Sequence, residues 1–159
     1  MDVQRAIKYV RYHAKIWNID PEKIAVLGFS AGGHLASMAS TFYTNSNNSE
    51  IDAIDRESSR PSLQMLVYPV IDFSISYRVV SAVLGHDPFP TKQILYKLST
   101  QKSVNSETPP AFIVHSNIDK LVPIENSIRY VDALRRSNVS VEFHAKDFGR
   151  HGFGMYFLN

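Results

Sequence analysis

"KIAVLGFSAGGHLAS", residues 23–37, joins an apolar run to a helix-like segment through a serine set between glycines. Ile24, Ala25, Val26 and Leu27 are consecutive apolar residues, the pattern of a short strand buried on both faces. Leu35, Ala36, Met38, Ala39 and Phe42 then recur at helical spacing. Between the two, Gly28, Ser30 and Gly32 spell G-x-S-x-G. Residues without a Cβ on either side of the serine let strand and helix approach closely while the hydroxyl stands at the tip of the turn.

Working outward, strands and helices alternate. "MDVQRAIKYVRYHAKIW" places Val3, Ala6, Ile7, Val10, Ala14 and Trp17 on one helical stripe and Arg5, Lys8 and Arg11 on another, so residues 1–17 read as an amphipathic helix packed on a sheet. The first strand is expected over 24–29 and the helix after the serine over 31–44. Residues 45–62 are polar and turn-rich, a surface connection with room for a helical turn. "LQMLVYPVI" (63–71) reads as a second strand. "SYRVVSAVLG" (76–85) and "TKQILYKLST" (91–100) read as short helices around the turn "HDPFP". Pro109 and Pro110 introduce a third strand, "AFIVHS" (111–116). Residues 124–138 carry Ile124, Ile128, Val131 and Leu134 on one face of a helix, and 139–145 form a fourth strand with one face more polar. This alternation predicts an α/β fold, a mostly parallel sheet of four strands with helices on both faces.

The bulk composition fits one such domain. The 159 residues are 44% hydrophobic and 20% charged, enough for a real core and too few for two ordinary domains. A net charge of +2 without like-charge blocks gives no argument for nucleic acid or an anionic membrane as partner. No apolar run approaches a membrane span, and the N-terminal stretch lacks the continuous apolar core and small-residue cleavage site of a signal peptide. The absence of cysteine excludes a thiolate nucleophile and a Cys-ligated metal. No pair of histidines has metal-ligand spacing, so neither metal nor cofactor is expected.

In parallel sheets, reactive groups collect at the C-terminal ends of strands. Ser30 follows the first strand, Asp119 the third and His151 the fourth. A serine hydroxyl is a poor nucleophile until an imidazole takes its proton, and a carboxylate holds that imidazole in the right tautomer. The amide of Ala31, at the start of the following helix, is placed to meet a developing oxyanion. Asp72, after the second strand, is a rival acid whose other role is a turn or helix cap. Gly32-Gly33 does not open a phosphate loop, because no lysine follows and the G-x-G-x-x-G spacing is missing. His34 either lines the site or packs. His115, ending a strand, is expected to order the acid loop, while His13, His86 and His144 are expected at the surface or in packing. Asp147 sits too close to His151 in sequence and reads as a loop residue.

The segments "DVQRAIKYVRYHAKIWNIDPEKIAVLGFSAGGHLAS", "SSRPSLQMLVYPVI", "TPPAFIVHSNIDKLVPIENSIRYVDALRRSNVSVEFH" and "GRHGFGM" together resemble α/β-hydrolase-fold esterases. The resemblance is to bacterial acetyl-xylan-esterase-like carbohydrate esterases, related to the hormone-sensitive-lipase and prolyl-oligopeptidase groups. It implies Ser30 as nucleophile, Asp119 of D-x-x-V-P as acid and His151 of HGFG as base, with substrate contacts from Phe29, His34 and Val122. It implies a serine esterase removing small acyl groups, acetyl above all, from carbohydrate. A broad carboxylesterase, a prolyl-oligopeptidase-like peptidase and a weakly active or inactive fragment are the alternatives. The chain departs from the pattern at Ile118, where another Asp often stands, and at Arg150 directly before His151.

Family members carry further strands and an H-G-G-G-like or P-G-G-G-like loop ahead of the region seen here, and that loop donates a second oxyanion N–H. Its loss lowers turnover by roughly 10²–10³. The resemblance therefore implies a C-terminal half, with the nucleophile strand at the sheet edge. Such an edge is a template for self-association, aggregation or a partner that supplies strands.

Overall fold

The computed structural model describes residues 2–45, 52–75 and 90–155. Helix α1 (Asp2–Tyr12) leads into strand β1 (Ala25–Phe29), and helix α2 (Ala31–Thr41) follows the elbow. Strand β2 (Leu63–Val67), the short helix α3 (Lys92–Leu98), strand β3 (Ala111–Ser116), helix α4 (Glu125–Arg136) and strand β4 (Val141–Lys146) complete the order. The helix expected over 76–85 lies outside the described residues, as does His86. No helix among the described residues is long and apolar enough to cross a membrane.

The four strands pair in sequence order, β1-β2-β3-β4, all parallel, as the alternation predicts. Their register aligns Gly28, Leu66, Ile113 and Phe143 across the sheet. This face carries the core. Ala36 from α2 and Tyr130, Val131 and Leu134 from α4 pack on Leu66 and Ile113, with Val26 and Phe143 at the sides. Ile7 of α1 joins Ile24 and Ala39 on the same side. Right-handed crossovers along a sheet wound in one direction put every connecting helix on one side. The cover expected on both faces is therefore met by these helices on one. On the other, Leu27 is 54% exposed and Phe29 37%. Among the described residues β1 is paired only with β2.

Two helices bury different stripes from those expected. On α4 the buried positions are Asn126, Ser127, Tyr130, Val131, Ala133 and Leu134, while Ile128 is exposed. The polar members answer to polar groups beneath them. Tyr130 Oη donates to Gln64 Oε1 at 2.9 Å, and Gln64 Nε2 donates to the Pro109 carbonyl. Asn126 Oδ1 accepts from the amides of Ile71 and Asp72, both at 2.9 Å. The helix expected over 1–17 ends at Tyr12; on it Ile7 and Lys8 are buried and Ala6 is exposed, and Trp17, in the turn beyond, is exposed too. The basic residues of α1 clamp the connection before β2. Arg5 pairs with Asp52 and Asp55, Lys8 Nζ donates to the Asp55 carbonyl at 2.6 Å, and Arg11 donates to the carbonyls of Ser58 and Arg60. A cationic stripe opposite a segment with free carbonyls and carboxylates satisfies both.

Candidate active site

Ser30 sits between β1 and α2 with φ 53° and ψ −118°, a left-handed conformation that costs energy for a residue with a Cβ. The turn is held by backbone. Ser30 N–H donates to the Val67 carbonyl at 3.0 Å, and its carbonyl accepts from His34 N at 3.1 Å and Val70 N at 3.2 Å. A Cβ on Gly28 would lie 2.1 Å from the Gly32 carbonyl oxygen, and one on Gly33 would lie 2.8 Å from Pro69 Cβ. A Cβ on Gly32 would meet nothing within 4 Å. The close approach of strand and helix thus rests on Gly28 and Gly33. Ala31 opens α2, so its N–H has no intrahelical acceptor.

Three side chains expected to act together converge at the C-terminal ends of the strands. His151 Nε2 lies 2.8 Å from Ser30 Oγ, and His151 Nδ1 lies 2.6 Å from Asp119 Oδ2. Asp119 is buried, and its other oxygen accepts from the amides of Leu121 and Val122 at 3.0 Å each. With the carboxylate on Nδ1, the imidazole carries its proton there and presents a lone pair at Nε2 to the serine. Asp72, the rival acid, is engaged elsewhere. Arg129 Nη1 donates to its Oδ2 at 2.6 Å, Ser74 donates to Oδ1 from amide and hydroxyl, and these donors hold the carboxyl below its ordinary range against the opposing effect of burial. Asp147 accepts from Asn117 Nδ2 at 3.0 Å, joining the loops after β3 and β4.

Beneath the acid, His115 is fully buried. Its Nε2 lies 2.9 Å from the Val122 carbonyl and its Nδ1 2.7 Å from Ser127 Oγ. Since a carbonyl only accepts, Nε2 is the protonated nitrogen and Ser127 donates to Nδ1. Burial pushes the His115 pKa down, with the Val122 carbonyl and Asp119 pulling the other way, so the ring is neutral. Val122 gives its N–H to Asp119 and its carbonyl to His115, which closes the loop upon itself. The expectation that His115 orders the acid loop agrees with this geometry.

Of the three residues expected to touch substrate, Phe29 is exposed beside the elbow. His34 and Val122 are buried and face the core, because His34 packs edge-on against Phe73 at 4.7 Å and Val122 lies in a cluster with Val70 and Phe73. Burial holds the His34 pKa down to about 4, against a hydrogen bond from its ring to the Val70 carbonyl. Two contributors were not singled out from sequence. Ser127 sits in a helix whose apolar spacing drew attention to other positions. Tyr68 follows β2 with φ 39°, its ring 4.7 Å from that of His151 and 4.9 Å from that of Phe153. The signal for it was present in "LVYPV", where an aromatic residue precedes proline at a strand end.

Known proteins share this arrangement of chain. The BD-FAE family model matches residues 1–134. An acetylxylan esterase of Xylanibacter ruminicola is 36% identical over 158 residues, covering 96% of this chain and 30% of the relative. The crystal structure of an acetyl ester-xyloside bifunctional hydrolase from Caldicellulosiruptor lactoaceticus is similar with a TM-score of 0.91 at 42% identity, over 97% of this chain and 57% of that one. MGS-M1, an alpha/beta hydrolase enzyme from a Medee basin deep-sea metagenome library, gives a TM-score of 0.64 at 31% identity, over 95% and 49% of the two chains. The chain thus spans less than two thirds of each of these relatives. By fold and by sequence, it belongs to the BD-FAE family and has an α/β-hydrolase architecture.

Proposed function

We propose that this chain carries the site of a serine esterase that removes small acyl groups, acetyl first, from carbohydrate. The observation that carries this reading is the unbroken relay from Ser30 Oγ to His151 at 2.8 Å and from His151 to Asp119 at 2.6 Å. Ser30 Oγ attacks the ester carbonyl while His151 Nε2 takes its proton. The carbonyl oxygen gains charge, and the Ala31 N–H at the start of α2 meets it. Collapse of the tetrahedral intermediate breaks the bond to the alcohol, whose oxygen receives the proton from His151. Water then enters, gives a proton to the same nitrogen and releases the acid from Ser30. Asp119, held by the amides of Leu121 and Val122, keeps the imidazole oriented and stabilises its charged form.

The acetyl and carbohydrate parts of the reading are supported by the names of the similar proteins, an acetylxylan esterase and an acetyl ester-xyloside hydrolase. The test is turnover by the purified chain of aryl acetate and of an aryl ester with a twelve-carbon acyl group. Hydrolysis favouring the acetate and abolished by Ser30→Ala is expected. Faster turnover of the long ester overturns the small-acyl assignment. Activity that survives Ser30→Ala overturns the nucleophile.

A further inference from the structure

Ser30 and Asp119 follow β1 and β3, and β2 runs between those strands. Neighbouring strands lie about 4.8 Å apart, so the two residues leave the sheet roughly 10 Å from each other and one imidazole must span the gap. It does so through contacts of 2.8 and 2.6 Å, which leave little slack on either side. We propose that Asn126, fully buried in the first turn of α4, is a positioning residue that sets this span by tying the acid loop to the chain leaving β2; the assignment rests on the esterase reading above.

The tie is made of bonds on both sides. The chain leaving β2 already holds the nucleophile, because the Val67 carbonyl accepts from Ser30 N and Val70 N donates to the Ser30 carbonyl. The next two amides, those of Ile71 and Asp72, donate to Asn126 Oδ1 at 2.9 Å each. Asn126 Nδ2 donates at 2.9 Å to the carbonyl of Pro123, which also accepts the Asn126 N–H at 3.0 Å. The side chain is thereby locked with its oxygen toward the two amides. Pro123 directly follows Val122, whose amide holds Asp119. An amide suits the place because one group accepts from two donors and donates in another direction; a carboxylate lacks the donor and a hydroxyl the reach. Arg129, one turn on, grips the same segment through Asp72 Oδ2 at 2.6 Å, but its side chain is 46% exposed and so the weaker hold. Without the Asn126 oxygen, two buried amides lose their acceptor and the exit of β2 shifts against the acid loop.

The test sets Asn126→Leu against Tyr130→Phe. Both remove buried hydrogen bonds from α4, but Tyr130 bonds to Gln64 near the start of β2, at the other end of the strands from the site. With an aryl acetate, Asn126→Leu should lower kcat and kcat/KM by the same factor, about 10² for a displacement of about 1 Å, while Tyr130→Phe leaves both within about twofold. The second readout is the tautomer of His151 with its ring neutral, followed by long-range proton–nitrogen correlation from the ring C–H groups. The parent and Tyr130→Phe should carry the proton on Nδ1, and Asn126→Leu should populate the Nε2–H form. Equal losses of kcat in the two variants, a change confined to KM, or a tautomer that does not move overturns the proposal, as does a parent already protonated at Nε2. If the parent hydrolyses no ester, the esterase reading fails and the tautomer comparison alone decides. If Asn126→Leu does not fold, Asn126→Ser, uncharged and too short to reach both sides, carries both measurements.

Discussion

The elbow that carries Ser30 and the loop that carries Asp119 are placed by opposite means. At the elbow, position comes from excluded volume. Backbone meets backbone where Gly28 faces Gly32 and Gly33 faces Pro69, and Ser30 is forced to φ 53°. At the acid loop it comes from directed bonds. Two amides take one oxygen of Asp119, and His115 bridges the Val122 carbonyl to Ser127 on α4. A sterically set turn fails when atoms are added. A loop set by hydrogen bonds fails when a partner is removed and the other is left buried without one.

The largest effect expected from this contrast is at Gly28. A methyl group there lies 2.1 Å from the Gly32 oxygen, 2.5 Å from its carbonyl carbon and 2.7 Å from Gly33 N. All three are backbone, so relief requires unwinding the first turn of α2. Gly28→Ala should cost about 4 kcal/mol or more, at the exceptional end for a point substitution. Urea denaturation, or failure to recover soluble protein, reads it. A loss under about 1 kcal/mol would mean that the elbow is not sterically set.

The two buried histidines sharpen the comparison. Both ring nitrogens of His115 are bonded, whereas His34 Nδ1 has no hydrogen-bond partner among the described residues. His115→Leu strands the Val122 carbonyl and the Ser127 hydroxyl and should cost about 2–4 kcal/mol at neutral pH. His34→Leu removes one nitrogen that bonds to nothing and strands only the Val70 carbonyl, so it should cost less than His115→Leu. The two differ from most surface residues in their response to acid. Each has a folded pKa below the ordinary histidine value, so the unfolded chain takes up protons first as pH falls. Their stabilising contribution is complete above about pH 6.5. It is lost as pH drops toward the folded value, which for His34 is about 4. The His34 share over that window is about 3 kcal/mol. Melting temperatures followed from pH 7 to 4 should fall less steeply in His34→Leu than in the parent, and parallel curves would refute the assignment.

The contrast also explains what could be read without a structure. The elbow was legible because steric constraints act through residue types: only glycine serves at Gly28, and it leaves a fixed pattern around Ser30. The parallel sheet was legible from the apolar runs, and Asp119 and His151 from their places after strands. The acid loop's support was less so. Asn126 and Ser127 are polar residues on the buried side of a helix, and apolar periodicity points away from such positions toward Ile124 and Ile128, of which Ile128 is exposed. Alternation of elements likewise says that helices cover a sheet without saying which face. That depends on strand order, and the order β1-β2-β3-β4 sends α2 and α4 to the same side.

The smallest effect is the most discriminating, because it separates the motif as written from the contacts that need it. G-x-S-x-G names Gly32 as the partner of Gly28, yet a Cβ at Gly32 has open space for 4 Å, while one at Gly33 meets Pro69 Cα at 3.0 Å and Cβ at 2.8 Å. Gly32 also lies in the first turn of α2, where alanine restricts the unfolded chain and favours the helix. Gly32→Ala should therefore leave stability unchanged or raise it by up to about 1 kcal/mol, whereas Gly33→Ala, which must displace a proline, should lower it. Denaturant midpoints of the two variants, measured side by side, decide the matter. If Gly32→Ala proves as damaging as Gly33→Ala, the crowding around Ser30 is symmetric and the elbow does not owe its shape to Gly28 and Gly33 alone.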